Sequence, residues 1–142
     1  MPAESETLLE IRDLRLDFLS NGRAIRALDG VSLTVRAGET VCLVGESGSC
    51  KSVTALSITR LLPSPPARRV GGEIRVLGRD VGSMSASELR RIRGGVVSYI
   101  FQDPAASLNP VMRVGNQIRE SLALHRPDAA NDAEIVRLLK LV

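Results

Sequence analysis

One stretch of this 142-residue chain holds residues whose types and spacing could do chemistry: Gly45-Glu46-Ser47-Gly48-Ser49-Cys50-Lys51-Ser52. A phosphate group is highly charged and must lose water to bind. Backbone N–H groups of a tightly curled loop can surround it, and a helix that follows presents its positive dipole end. Glycines let such a backbone curl without Cβ clashes. Lys51 would place an ammonium on the outer phosphates, and the Ser52 hydroxyl would ligate Mg²⁺. Of the 19 Lys and Arg residues only Lys51 and Lys140 are lysines, so the position of a lysine carries information. The pattern G-x-x-x-x-G-K-[ST] wants glycine where this chain has Cys50. Glycine, five free positions and Lys-[Ser/Thr] arise by chance in roughly one chain in fourteen of this length, and Gly48 lowers that to about one in two hundred. The competing reading is a glycine-rich β-to-α turn with no ligand.

The flanking elements decide between the two. Thr40-Val41-Cys42-Leu43-Val44 is a short continuous apolar run, which suits a strand covered on both faces of a parallel sheet. SVTALSITRLL follows the loop and stops at Pro63, predicting a helix from about 51 to 62 with Val53, Leu56, Leu61 and Leu62 among its apolar positions. Upstream, 8–18 alternates with one slip at Arg12-Asp13, and Val31, Leu33 and Val35 face one way; Ser20-Asn21-Gly22 is a turn between them. PSPPARR, 63–69, reads as a stiff surface connection, followed by a strand over 72–76 with Gly78-Arg79-Asp80 as its turn. Ser85-Ala86-Ser87-Glu88 is a capping box that starts a short helix carrying Leu89 and Ile92 inward, ended by Gly94-Gly95. VVSYIF, 96–101, reads as another buried strand. A helix is expected over 114–125, broken by Pro127, and Asn131 caps a last one that continues to Val142.

Composition bounds the function classes. Hydrophobic residues make up 44% and charged residues 25%, a globular balance that excludes disorder. Aromatics are 2%, namely Phe18, Tyr99 and Phe101, too few for base-stacking platforms. The net charge of +3 is mild, and the short clusters Arg68-Arg69 and Arg90-Arg91-Arg93 read as solvated faces, so no nucleic-acid partner is expected. Cys42 and Cys50 form neither a CxxC pair nor a disulfide framework, and with the single His125 there is no zinc spacing. Cys42, inside an apolar run, is expected to be a small buried hydrophobe. No apolar run approaches a membrane span, and the polar, acidic start MPAESETLLE is not a signal peptide, which points to a cytosolic chain.

GESGSCKS together with SYIFQDPAASLNPVMRVGNQIRE strongly resembles ATP-binding subunits of ABC transporters, above all the subgroup serving oligopeptide, dipeptide and nickel importers. There the two stretches usually read GESGSGKS and IFQDP-x-x-SLNP, and the similarity runs from the first strand to LLKLV. The resemblance implies an α/β P-loop nucleoside triphosphate hydrolase fold, truncated, with an N-terminal antiparallel β subdomain and the start of a helical subdomain. It implies an ATPase-core portion over 1–101 and a Q-loop plus start of the helical subdomain over 102–142.

Carried over residue by residue, it implies that Gly45, Glu46, Ser47, Gly48, Ser49, Cys50, Lys51, Ser52 and Val53 hold ATP. Ile25 would stand at the adenine-stacking position, where an aromatic is usual, and Ser52 and Gln102 would touch Mg²⁺. The stretch from Asp103 to about Gln117 would meet the coupling helix of a membrane permease, a second ATPase subunit would complete the site, and the protein would be peripheral on the cytoplasmic face of the inner membrane. Three departures stand against the family pattern. Ile25 offers apolar contact only. Cys50 would suffer a Cβ penalty of about 1–2 kcal/mol if its position needs positive φ, which weakens ATP binding. No LSGGQ-like signature, Asp-Glu strand or switch histidine follows; His125 is in the wrong place and reads as a solvated end residue. The implied function is an ATP-binding subunit fragment coupling ATP to uptake of peptides or nickel, with no catalytic residue of its own. A non-catalytic module that docks on a permease is the alternative. An isolated chain of this kind is expected to leave an apolar sheet edge exposed.

Overall fold

The computed structural model describes residues 6–103 and 107–142. The start of MPAESETLLE and part of the IFQDP-x-x-SLNP stretch therefore lie outside the described residues. The chain divides into two compact units, residues 1–90 and 91–142.

The first unit is built on a four-stranded antiparallel sheet in the order β2-β1-β3-β4: β1 Thr7–Ser20, β2 Arg23–Arg36, β3 Ala67–Val76 and β4 Arg79–Asp80. Asn21 and Gly22 join β1 to β2, with φ of 50° and 74°. A two-residue turn with both φ positive matches the twist of the strands it connects, and Asn-Gly is its preferred pair. The slip expected at Arg12-Asp13 is a bulge: the register shifts between Ile11 and Leu14, and Asp13 has φ 46°. One extra residue there returns Leu14 and Leu16 to the face that Ile11 began, and all three are buried. The bulge needs a glycine across from it. A Cβ on Gly72, at φ 77°, would lie 2.5 Å from the Arg12 carbonyl oxygen and nearer still to that of Asp13.

β3 begins at Ala67, inside the stretch expected to be a surface connection. Ala67, Arg68 and Arg69 pair with Phe18, Asp17 and Leu16. The long first strand offers ladder positions beyond its bulge, and pairing overrides the loop-like composition. The core of this unit includes Ile11, Leu14, Leu16, Leu28, Ile74, Val76 and Val81.

Two helices come from local signals. Helix α1, Lys51–Ser57, is five residues shorter than the apolar pattern predicts. Arg60 turns left-handed at φ 54°, and the Leu61 N–H returns to the Leu56 carbonyl at 2.9 Å, a closure of the helix end that stops propagation. Its buried side chains are Thr54 and Ser57, small residues, and not the leucines. Helix α2, Ala86–Ile92, starts at the capping box: the Glu88 N–H donates to Ser85 Oγ at 3.3 Å, and the Ser85 N–H donates to Glu88 Oε2 at 2.9 Å. Leu89 and Ile92 are buried as expected.

The second unit contains α3, Val114–His125, and α4, Asp132–Leu139, joined through a 3₁₀ turn over Pro127–Ala129. Asn131 accepts from the Glu134 N–H at 3.0 Å and caps α4. The helix ends at Leu139 and does not reach Val142. His125 is the last residue of α3; it is exposed, and its ring lies where a Cβ on Gly94 would come within 2.5 Å of Nε2.

Two expectations fail, for one reason. Neither 40–44 nor 96–101 forms a strand, and Val41, Leu43, Val44, Val96, Ile100 and Phe101 are exposed. An extended segment becomes a strand only when a neighbour accepts its N–H groups and offers carbonyls. Among the described residues neither segment joins the sheet, and within 96–101 only an isolated bridge forms, Val97 with Arg93, the Val97 N–H donating to the Ile92 carbonyl at 2.9 Å. Cys42, expected to be buried, is exposed with its segment. Ile100 and Phe101 stand open, and Tyr99 and Phe101 stack on each other with ring centres 6.2 Å apart.

Candidate functional site: the glycine loop before the first helix

Residues 45–52 curl tightly at the N-terminus of α1. The Ser49 N–H donates to the Glu46 carbonyl at 3.2 Å, closing a turn whose third residue is Gly48 at φ 86°. Cys50 follows at φ 59° and ψ 25°, left-handed, as the residue before the helix. Two left-handed positions two residues apart fold the chain back over itself, and glycine suits the first without strain. Cys50 bears a Cβ in a conformation that costs about 1–2 kcal/mol for an L-residue.

The Lys51 side chain turns back into this curl. Its Nζ donates to the Gly45 carbonyl at 2.7 Å, to the Glu46 carbonyl at 2.7 Å and to Ser49 Oγ at 3.1 Å. The ammonium is thus held over the hollow of the loop by three oxygens of that loop. Gly45 has to be glycine for this: a Cβ there would lie 2.6 Å from Ser49 Oγ and 4.0 Å from Lys51 Nζ. Below the ammonium, the first amides of α1 lack intrahelical acceptors because no preceding turn exists. Thr54 fixes that end: its N–H and Oγ1 both donate to the Cys50 carbonyl, at 2.9 and 3.2 Å. Thr54 is buried, and it is the one residue of the arrangement that the motif does not single out. A threonine four residues after the helix-capping position, able to bond back to that carbonyl, is the signal for it.

The Cys50 thiol lies 3.6 Å from the Gly48 carbonyl, turned toward the loop backbone. Ser52 is exposed at the rim. Ile25 lies in β2 opposite Phe18 and is 58% exposed, so its side chain is open to a ligand's apolar face. Gln102 and Asp103 lie in the second unit, exposed, in the irregular stretch that precedes α3. Gln117, on α3, organises the loop before its own helix: its Oε1 accepts from the Asn109 N–H at 2.9 Å, and its Nε2 donates to the carbonyls of Asn109 and Met112, both at 3.0 Å.

Among the described residues no cluster of His, Cys, Asp or Glu could hold a metal ion alone. No helix among them is long and apolar enough to cross a membrane. The site is therefore a curled loop with one ammonium held by loop oxygens, a helix start behind it and the exposed Ser52 in its first turn. Backbone amides at a helix start beside an ammonium are chemically suited to a polyanion.

Comparison with known proteins agrees. A family model described as ABC transporter matches residues 28–142. The chain is 44% identical to a probable peptide ABC transporter ATP-binding protein, y4tR, of Sinorhizobium fredii, over 97% of this chain and 43% of that protein. It is also 44% identical to the oligopeptide transport ATP-binding protein OppD of Bacillus subtilis, over 95% of this chain and 38% of that one. The chain thus spans less than half the length of these relatives. Among solved structures, the dimeric bacterial ABC transporter cassette MJ0796 superposes with a TM-score of 0.76 at 22% identity, over 94% of this chain and 55% of that one. The same cassette is known in a post-hydrolysis state bound to ADP and Pi, with the same TM-score.

Proposed function

This chain belongs to the ABC transporter family, and we propose that it is the nucleotide-gripping portion of an ATP-binding subunit that serves an importer of peptides or nickel. The observation that carries the reading is Lys51 Nζ, held 2.7 Å from two carbonyls of its own glycine loop at the start of α1. An ammonium poised there exchanges loop oxygens for the outer phosphate oxygens of a nucleotide, a trade of one set of charge-assisted bonds for a stronger one. The amides at the start of α1 and those of 46–50 surround the phosphates, and Gly45 and Gly48 keep that space free of side chains. Ile25 covers one face of the base with apolar contact. Ser52, in the first turn of α1, would offer its hydroxyl to Mg²⁺. Mg²⁺, when bound, draws negative charge off the bridging phosphates.

The segment from Asp103 to about Gln117 is proposed as the surface that meets a permease subunit. A second ATPase subunit would face the loop, and the assembly would sit peripherally on the cytoplasmic face of the membrane. On this reading 1–101 is the nucleotide-holding core, and 102–142 the Q-loop with the start of a helical subdomain. The family match and the curled loop both favour nucleotide binding over a module that only docks.

Equilibrium binding of a fluorescent ATP analogue to the chain, with and without Mg²⁺, tests the proposal. Saturable binding that unlabelled ATP competes away and Mg²⁺ strengthens is expected. An absence of binding at millimolar nucleotide overturns the assignment of the loop.

A further inference from the structure

A left-handed residue that bears a Cβ needs support. Asparagine and aspartate supply it themselves, by bonding their short polar side chains locally; Asn21 and Asp13, at φ 50° and 46°, are of that kind. Cys50, at φ 59° and ψ 25°, makes no side-chain hydrogen bond to the helix it precedes, and its thiol turns back to the Gly48 carbonyl. We propose that Thr54 supplies the missing support and is thereby a positioning residue for Lys51, one that the cysteine makes necessary. The consequence for nucleotide affinity rests on the reading of the loop given above.

Two bonds from one residue end on the Cys50 carbonyl: the Thr54 N–H at 2.9 Å and Thr54 Oγ1 at 3.2 Å. The first is an ordinary helical bond that almost any residue at 54 would make. The second needs a hydroxyl there. Thr54 is 3% exposed, so water does not compete for that hydroxyl. The Cys50 carbonyl and the Lys51 N–H belong to one planar peptide unit. Fixing the carbonyl therefore fixes the direction in which Lys51 leaves Cys50. From that direction the ammonium reaches the carbonyls of Gly45 and Glu46 at 2.7 Å and Ser49 Oγ at 3.1 Å. A rotation of the plane would displace the whole lysine side chain. Ser57 makes a similar bond, to the Val53 carbonyl at 2.7 Å, but that carbonyl lies inside α1 and orients no loop residue.

The left-handed penalty at a Cβ-bearing residue and the net worth of one hydrogen bond are of similar size. Without the Thr54 hydroxyl the loop divides between the left-handed form and a relaxed one that turns Lys51 away. Apparent affinity falls with the fraction that remains competent. One lost hydrogen bond corresponds to about three- to tenfold. Glycine takes positive φ at no steric cost, so a chain with glycine at 50 keeps its loop without the hydroxyl.

Two measurements on the full chain test this: amide NMR without nucleotide, and titration with the fluorescent ATP analogue. Thr54→Val should shift or broaden the amides of Gly48, Ser49, Cys50 and Lys51 and weaken the analogue by about three- to tenfold. Thr54→Ser, which keeps the hydroxyl, should retain the parent loop signals and affinity. In a Cys50→Gly background, Thr54→Val should cost less than about twofold. An equal loss in both backgrounds overturns the proposal, because a merely structural role at 54 would not depend on residue 50. Unperturbed loop amides in Thr54→Val, or a serine variant no better than valine, also overturn it. Thr54→Ala takes the place of valine in each comparison if the valine variant does not fold. A parent chain that binds no nucleotide refutes the function assigned to the loop, and the nucleotide-free amide signals then decide the role of Thr54 by themselves.

Discussion

Replacing Cys50 by glycine separates two effects that a thiol in the loop combines. Cys50 holds φ 59° in the ligand-free chain, so its left-handed strain is borne by the fold itself, before any phosphate arrives. Relief of that strain is worth about 1–2 kcal/mol. Glycine gives back about 0.4–1 kcal/mol through the greater freedom of the unfolded chain. The net gain is therefore about 0.5–1 kcal/mol, or about 2–4 °C in Tm for a chain of this size. Cys50→Ala keeps the Cβ and its strain but removes the sulfur, and it should leave Tm within about 1 °C of the parent. Nucleotide affinity behaves differently. The strain is present in the free and the bound loop alike, so it cancels from binding. Only the sulfur beside the Gly48 carbonyl crowds an incoming phosphate. Cys50→Ala and Cys50→Gly should thus raise ATP affinity equally, whereas only glycine raises Tm. Thermal unfolding by circular dichroism and the fluorescent nucleotide titration read the two effects. If alanine stabilised as much as glycine, or glycine had no effect on Tm, the strain argument would be refuted. An affinity gain confined to glycine would show that the loop must change φ on binding.

Other variants probe the neighbouring elements. Lys51→Ala removes a charged donor from the phosphates and should weaken ATP binding by about 10- to 100-fold; an unchanged titration would remove Lys51 from the site, and circular dichroism should be unaltered. Gly72→Ala sets a Cβ against the carbonyls of Arg12 and Asp13 at φ 77° and should cost about 2–5 kcal/mol, the sum of left-handed strain and overpacking, in urea unfolding. Ser85→Ala should cost about 1 kcal/mol through the lost cap. It should also flatten the acid limb of stability. Hydrogen bonds from the Ser85 N–H and hydroxyl, and one from Arg79, lower the Glu88 carboxyl to about 2. A carboxylate lowered in the folded state stabilises above its unfolded value of about 4.3 and loses that contribution as pH falls toward 2. The parent chain should therefore lose more stability than Ser85→Ala between pH 5 and pH 2.5, compared by urea midpoints. Equal losses would show that the cap does not set the Glu88 protonation equilibrium.

Local chemistry was legible in the residue order wherever a turn, a cap or a bulge has its own signature. Asn21-Gly22 makes the hairpin, Ser85 and Glu88 close their box, and Asn131 caps α4, because each depends on atoms within a few residues. The slip in alternation at Arg12-Asp13 was visible for the same reason, since an extra residue in one strand shows in its own period, and the fold makes it a bulge. The glycine loop also belongs here. Its spacing marks Lys51 as the cation of the loop, and the fold shows that ammonium 2.7 Å from the Gly45 carbonyl. Thr54 was less visible, since a threonine inside a helix looks like any polar residue until its bond to the Cys50 carbonyl is seen.

Residue order by itself determined the local turns, the helix starts and the composition of a phosphate-gripping loop, because backbone sterics and short-range hydrogen bonds act within a turn or two of chain. Tertiary structure decided which apolar runs became strands. Residues 8–18 and 67–76 find partners in each other and pair across the bulge, even through the loop-like Ala67-Arg68-Arg69. Residues 40–44 and 96–101 have stronger apolar signals, yet neither joins the sheet, with Val44 and Ile100 at 90% and 97% exposed. A strand is a property of two segments: its hydrogen bonds close on a neighbour, and hydrophobicity alone supplies neither the donor nor the acceptor.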